Sequence, residues 1–155
     1  MRTYRSRKSG FTLVEILIVV IILGILAAIV IPQFTNASTD ARKNSTTSQL
    51  QTVRSQIELY KLQHNDTMPP LLTGGWTNLI VKSNADGTTT GTPTFGPYLQ
   101  AAPVNPLNQQ SAVASAPATA KGWVFDSTTG KIWATGTDPT KYYNEATGLD
   151  QATAP

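Results

Sequence analysis

The residues with the most distinctive chemistry lie at one junction, Ser9-Gly10-Phe11-Thr12-Leu13-Val14-Glu15. Gly10 has no side chain and leaves its backbone accessible, as a protease requires at a scissile bond. Glu15 places a carboxylate inside an apolar run, where an acidic side chain costs about 2.5 to 3.5 kcal/mol near a membrane centre and less near its edge. An ionisable group in such a place indicates a function and a partner. The junction therefore predicts cleavage at Gly10 and an ion-pairing role for Glu15.

Cleavage after Gly10 would create a partner for Glu15, because it frees an α-amino group on Phe11. Opposite charges about 4 Å apart attract by roughly 4 kcal/mol at an effective dielectric near 20, before desolvation is subtracted. A lone subunit is expected to leave Glu15 uncompensated, whereas a neighbour shifted in register can bring its amine to the carboxylate. Glu15 would then fix the register of assembly. The alternative is that Glu15 lies in the headgroup region and only reaches towards water.

The element that must position this junction is the apolar run from Phe11 to Ile31, interrupted only by Thr12, Glu15 and Gly24. As a helix, this run would span roughly 32 Å, about the thickness of a bilayer core. Because it is apolar on all sides, it must be surrounded by lipid or by other helices. Pro32 follows directly and lacks a backbone donor, which predicts a kink or a break.

An amphipathic helix is predicted for residues 32–65. Its apolar residues recur at spacings of three and four and form one stripe: Leu50, Val53, Ile57 and Tyr60. The helix should end near His64, before the Pro69-Pro70 pair. His64 is the only histidine, and we expect a structural role for it at the helix C-terminus, because no second ligand supports catalysis or metal binding.

Residues 66–155 are predicted to form a small globular α/β domain with turn-rich loops. A short helix is expected over 76–82, and two strands over 121–126 and 131–135 around a turn. Residues 112–120 read as a surface loop, and residues 136–155 as a loose tail because their periodicity is weak. The whole chain is therefore predicted to be α+β, with a long N-terminal helix and a small C-terminal antiparallel sheet.

Charge and composition exclude several classes of protein. The net charge is +3, but four of the basic residues lie in the first ten: Arg2, Arg5, Arg7 and Lys8. The rest of the chain has eight basic and nine acidic residues, so its net charge is −1. A nucleic-acid surface is therefore not expected. The chain has no cysteine, which excludes disulfides and thiolate metal sites. No paired-carboxylate site or nucleophile–base set is visible, so we do not expect an enzyme.

The N-terminal segment resembles that of type IV pilins and type II secretion pseudopilins. The resemblance rests on the basic leader of residues 1–10, on Gly10 before an aromatic residue, on Glu15 five residues later, and on the apolar run before Pro32. It extends from about Lys8 to Gln63. Three later motifs resemble the loop and sheet region of major pseudopilins, namely Gly96-Pro97-Tyr98-Leu99, Pro103-Val104-Asn105-Pro106 and Gly122-Trp123-Val124-Phe125-Asp126.

The resemblance implies a pilin fold and a specific maturation. A prepilin peptidase would cut between Gly10 and Phe11, the Phe11 amine would be methylated, and subunits would polymerise through their N-terminal helices and Glu15. It also implies that the helix can lose order between Gly24 and Pro32 in a filament. Implied partners are membrane lipid, an inner-membrane assembly platform and minor pilins or pseudopilins, with the N-terminus cytoplasmic and the C-terminal domain periplasmic.

Three functions follow as alternatives. The first is a structural subunit of a type II secretion pseudopilus, and the second is a type IV pilin for adhesion, motility or DNA uptake. The third is an exported enzyme or binding protein with an ordinary signal peptide, although the apolar run is long for one. Calcium occurs in many such pseudopilins, but the loop with Asn84 and Asp86 lacks the ligands of an EF-hand, so no cofactor or metal site is expected.

Overall fold

A computed structural model describes residues 10–155, and the predicted leader before Gly10 lies outside the described residues. The chain forms two compact units, one up to Asp40 and one from Ala41 to Pro155. The elements of the described part are helices α1 (Leu13–Gln63), α2 (Leu71–Gly74) and α3 (Thr77–Ile80), and strands β1 (Val113–Ala114), β2 (Trp123–Phe125), β3 (Ile132–Ala134), β4 (Tyr142–Asn144) and β5 (Leu149–Gln151). The predicted α+β class, with one long N-terminal helix and small sheets, is confirmed.

Helix α1 is 51 residues long and contains Pro32 without interruption. The break considered at Pro32 is therefore not present. Proline removes a single donor, the one that would reach the carbonyl of Ala28, and the helix continues on both sides of it. The helix ends at Gln63, as predicted, and the chain then turns through Asn65 and Asp66, whose φ angles are 53° and 61°.

The core of the unit from Ala41 to Pro155 forms around the predicted stripe of α1. All four stripe residues are 1% exposed or less. They belong to one buried cluster with side chains of β2 and β3, namely Trp123, Phe125, Ile132 and Ala134. Full burial of a side chain of this size stabilises the fold by about 1.5 to 3 kcal/mol. The periodicity of three and four therefore identified the core face of the helix correctly.

Strands β2 and β3 form the predicted hairpin and pair in antiparallel register, with Val124 opposite Trp133. The Asp126 carboxylate closes the turn between them, because it accepts hydrogen bonds from the Thr128 N–H at 2.8 Å and the Thr129 hydroxyl at 2.7 Å. The sheet is not purely antiparallel, however. β1, which comes from the segment predicted as a surface loop, pairs in parallel with β2. The strand order of this sheet is β1-β2-β3, so the prediction of an antiparallel sheet is wrong at the edge formed by β1.

The prediction of a loose tail is also wrong for most of residues 136–155. β4 and β5 form a second antiparallel hairpin, and Tyr143 in the middle of β4 is only 3% exposed. The Tyr143 hydroxyl donates a hydrogen bond to the backbone carbonyl of Lys43 on α1 at 3.4 Å. The Asp150 carboxylate occupies the space beside Gly136 that a Cβ atom would need. The contact of Tyr143 with Lys43 joins residues 100 positions apart, so local periodicity did not reveal it.

A bidentate ion pair connects the same hairpin to α1. The Arg54 guanidinium donates to the two carboxylate oxygens of Glu145 at 2.7 and 3.1 Å and also to the Ile132 carbonyl at 2.9 Å. Arginine suits this place because its planar fork can bind a carboxylate and a carbonyl at once. One residue of α1 thus contacts both β3 and the turn between β4 and β5.

Candidate functional site

The first turn of α1 is closed by reciprocal hydrogen bonds between Thr12 and Glu15. The Glu15 N–H donates to Thr12 Oγ1 at 3.2 Å. In return, Glu15 Oε2 accepts hydrogen bonds from the Thr12 N–H and from the Thr12 hydroxyl, each at 3.1 Å. This is a capping box, in which a threonine before the helix and an acidic residue three positions later satisfy each other's backbone donors.

The capping box gives the Glu15 carboxylate hydrogen-bond donors but no compensating charge. A lone subunit does not leave this carboxylate without partners, because Thr12 supplies two donors to one of its oxygens. Both donors are uncharged, and no Lys or Arg of residues 10–155 forms an ion pair with Glu15. Sequence reasoning missed Thr12, although a threonine three residues before a glutamate at the start of an apolar run is a known sign of this cap.

Gly10 and Phe11 precede the helix and are accessible in the chain. A Cβ atom added at Gly10 would meet no atom within 4 Å, and Phe11 is 82% exposed. Neither residue is protected by the rest of the described chain, as a peptidase and a methyltransferase would require. Cleavage between them and methylation of Phe11 stay predictions.

The first unit presents a continuous apolar surface. Every large apolar side chain from Phe11 to Ile31 is at least 41% exposed. Among the described residues, one helix, α1, is both long enough and apolar enough to cross a membrane. An exposed apolar surface of this extent indicates contact with lipid or with other proteins. Gly24 and Pro32 both lie inside an unbroken helix, so the predicted loss of helical order between them in a filament stays a prediction.

The other candidate residues occupy structural positions. The Asp86 carboxylate accepts hydrogen bonds from the Thr88 hydroxyl and N–H at 2.7 and 2.9 Å, which lower the pKa of Asp86 and form the turn. His64 is fully buried, and its ring nitrogens contact the Tyr60 carbonyl and the Ser83 hydroxyl. Across residues 10–155, no group of three or more His, Cys, Asp or Glu side chains is arranged to hold a metal ion.

Comparison with known proteins gives matches to prepilin-type proteins. Residues 5–31 match the family model described as the prokaryotic N-terminal methylation motif. The type II secretion system core protein G of Pseudomonas aeruginosa is 40% identical over 60 residues, which cover 39% of this chain and 42% of that protein. The core protein G of Dickeya chrysanthemi is 39% identical over 59 residues, which cover 38% and 39%.

A third relative comes from a different filament. The type IV major fimbrial protein FimA of Dichelobacter nodosus is 37% identical over 83 residues, which cover 54% of this chain and 52% of that protein. No solved structure matches the chain. The chain thus spans about two fifths to one half of the length of the curated relatives that it matches.

The N-terminal part of the chain therefore carries a prepilin-type methylation motif and is similar to proteins of two kinds of filament. The predicted resemblance to type IV pilins and type II secretion pseudopilins is confirmed by these matches. None of the three relatives bears the name of an enzyme. Helix α1, which overlaps the methylation motif, is long and apolar enough to cross a membrane.

Proposed function

We propose that this chain is a structural subunit of a type II secretion pseudopilus. One observation carries the proposal: the methylation motif of residues 5–31 coincides with a helix whose apolar side chains are exposed on all sides. Such a helix is stable in lipid before assembly and among other helices afterwards. The core protein G relatives favour the secretion filament over other filaments.

The precursor would lie in the inner membrane with its basic leader in the cytoplasm. Arg2, Arg5, Arg7 and Lys8 support this orientation, because positive residues beside an apolar segment are retained on the cytoplasmic side. The unit from Ala41 to Pro155 would then be periplasmic. A prepilin peptidase cuts after Gly10, the new Phe11 amine is methylated, and an assembly platform with minor pseudopilins adds the subunit to a homopolymer.

Glu15 provides the specificity of this assembly. Its carboxylate has no cationic partner among residues 10–155, and the amine of a neighbouring Phe11 would supply one. Methylation keeps that amine basic, so the attraction survives modification. In a helix bundle with little water, the pair forms only where one subunit is displaced along the next by the right distance, which selects a single register.

The mature N-terminus tests this function directly. Mass spectrometry of the protein purified from membranes should give a chain that begins at methylated Phe11. A mature chain that begins near Ser38 would contradict the proposal, because it would indicate an ordinary signal peptide removed near Ala37. The full-length precursor from a strain without prepilin peptidase is the matched control.

A type IV pilin is the second candidate, favoured by the FimA match over 83 residues. Both candidates share processing and assembly, so the N-terminus does not separate them. Deletion of the gene for this chain separates the two candidates. Loss of protein secretion with normal twitching and adhesion supports the pseudopilus. Loss of twitching or adhesion with normal secretion supports the pilus.

A further inference from the structure

The hydrogen bonds between Thr12 and Glu15 give Thr12 a role of its own. We infer that Thr12 is a positioning residue, whose capping box holds the Glu15 carboxylate ready for the amine of a second copy of this chain. The inference rests on the proposed function, because it concerns how Glu15 is presented during assembly. It goes further because it assigns a role in assembly to Thr12, an uncharged residue outside the cleaved bond and the proposed ion pair.

The capping box occupies only one of the two carboxylate oxygens. The Thr12 N–H and the Thr12 hydroxyl both donate to Oε2. Oε1 accepts no hydrogen bond from any residue between 10 and 155. A carboxylate oxygen can accept more than one donor. An incoming amine can therefore bind at Oε1 while the bonds to Thr12 persist.

The box matters more in a membrane than it would in water. The first N–H groups of a helix have no partner within the helix, and lipid offers none. Here the Glu15 N–H is satisfied by Thr12 Oγ1, and the Thr12 N–H by Glu15 Oε2. Because breaking the box would leave two donors unsatisfied, the Glu15 side chain is held in one conformation. Less entropy is then lost when the second copy binds, since the side chain is already ordered.

Three variants separate the capping box from the charge. Thr12→Val has nearly the same shape but no hydroxyl, so it breaks the box and leaves the Glu15 charge. Thr12→Ser keeps the hydroxyl and is the matched control. Glu15→Gln keeps a capping box, since glutamine also serves at this position, but removes the charge.

Two measurements on the full chain decide the matter. The first is the yield of sheared filaments from cells, together with the fraction of processed protein. The second is hydrogen exchange of the Glu15 amide in the membrane-extracted protein in detergent, which reports on the box without assembly. A helix cap of typical strength changes an equilibrium constant by about fivefold. We therefore expect Thr12→Val to lower filament yield and to accelerate exchange at the Glu15 amide by about that factor, with Thr12→Ser close to wild type in both.

The possible outcomes distinguish this inference from the proposed function. Wild-type filament yield from Thr12→Val, or an equal loss from Thr12→Ser, overturns the positioning role. A hydrogen-exchange rate of the Glu15 amide that is the same in Thr12→Val as in wild type overturns it as well. If Thr12→Val is not processed, the same comparison is made on the uncleaved precursors. Normal filaments from Glu15→Gln would instead overturn the charge pairing in the proposed function and leave the capping box intact.

Discussion

The Nε2 atom of His64 lies 2.9 Å from the Ser83 hydroxyl, in a fully buried contact between the end of α1 and the loop after α3. The Nδ1 atom lies 2.8 Å from the Tyr60 carbonyl, which can only accept, so Nδ1 carries the proton and donates. In the neutral ring, Nε2 then accepts from the Ser83 hydroxyl. The ring also stacks on Tyr60, with a centroid distance of 3.7 Å.

Loss of this histidine is expected to destabilise the unit from Ala41 to Pro155. Replacement of His64 by Leu keeps an apolar side chain but leaves the Tyr60 carbonyl and the Ser83 hydroxyl without partners. A buried polar group left unsatisfied costs about 1 to 3 kcal/mol. Chemical unfolding of the full chain in detergent measures the loss, with Ser48→Ala on the exposed side of α1 as a control. A stability equal to wild type would contradict the role of His64.

Acid is expected to weaken the loop after β3 through Asp138. Hydrogen bonds lower the pKa of Asp138 to about 2. The largest cause is the Thr140 hydroxyl, which donates to the carboxylate at 2.6 Å, and the Thr140 N–H and Lys141 add to it. Because the folded pKa lies below the unfolded value of about 3.9, this group stabilises the fold above that pH. The stabilisation is lost as the pH falls from about 4 to about 2.

The pH dependence of the melting temperature tests this assignment. Between pH 4 and pH 2, the melting temperature of Asp138→Asn should fall less steeply than that of wild type, because asparagine does not titrate. Asp40→Asn is the control, since the Asp40 side chain is exposed on the surface of α1. Equal slopes for wild type and Asp138→Asn would count against it.

Calcium is expected to leave the stability of the domain unchanged. A calcium ion takes six to eight oxygen ligands, usually several of them carboxylates. The Asp150 carboxylate instead accepts hydrogen bonds from the Thr137 hydroxyl and the Asp138 N–H, at 2.7 and 2.8 Å. Thermal unfolding in excess calcium and in EDTA should give the same melting temperature. A melting temperature that rises clearly with calcium in wild type, but not in Asp150→Asn, would show that Asp150 helps to bind the ion.

Replacement of Gly10 by Val is expected to block cleavage without disturbing the chain. A Cβ atom at this position meets nothing within 4 Å, so a loss of processing would come from the peptidase and not from misfolding. The precursor should accumulate in the membrane with its leader attached, as seen by its mass. Gly24→Ala, at an equally open position, is the control and should be cleaved. Normal processing of Gly10→Val would contradict the assigned cleavage site.

Features set by neighbours in sequence were predictable. The buried stripe of α1 follows from spacings of three and four residues, the end of α1 from the Pro69-Pro70 pair after it, and the β2–β3 hairpin from two short apolar runs around a turn. The capping box of Thr12 and Glu15 was equally local, so it could have been predicted from the spacing of the two residues. The β4–β5 hairpin was not predictable in this way, because its strands contain few apolar residues, whereas β2 and β3 consist of them.

The sequence by itself determined the junction at Gly10, the apolar helix after it and the place of Glu15, because a leader, a membrane-length run and a lone carboxylate are visible without any folded partner. Only the tertiary structure decided that the last residues are ordered, through Arg54 with Glu145 and Tyr143 with Lys43. These pairs lie about 90 to 100 positions apart in the chain, and no periodicity links residues at that separation. Their contacts exist only once α1 and the strands pack around one core.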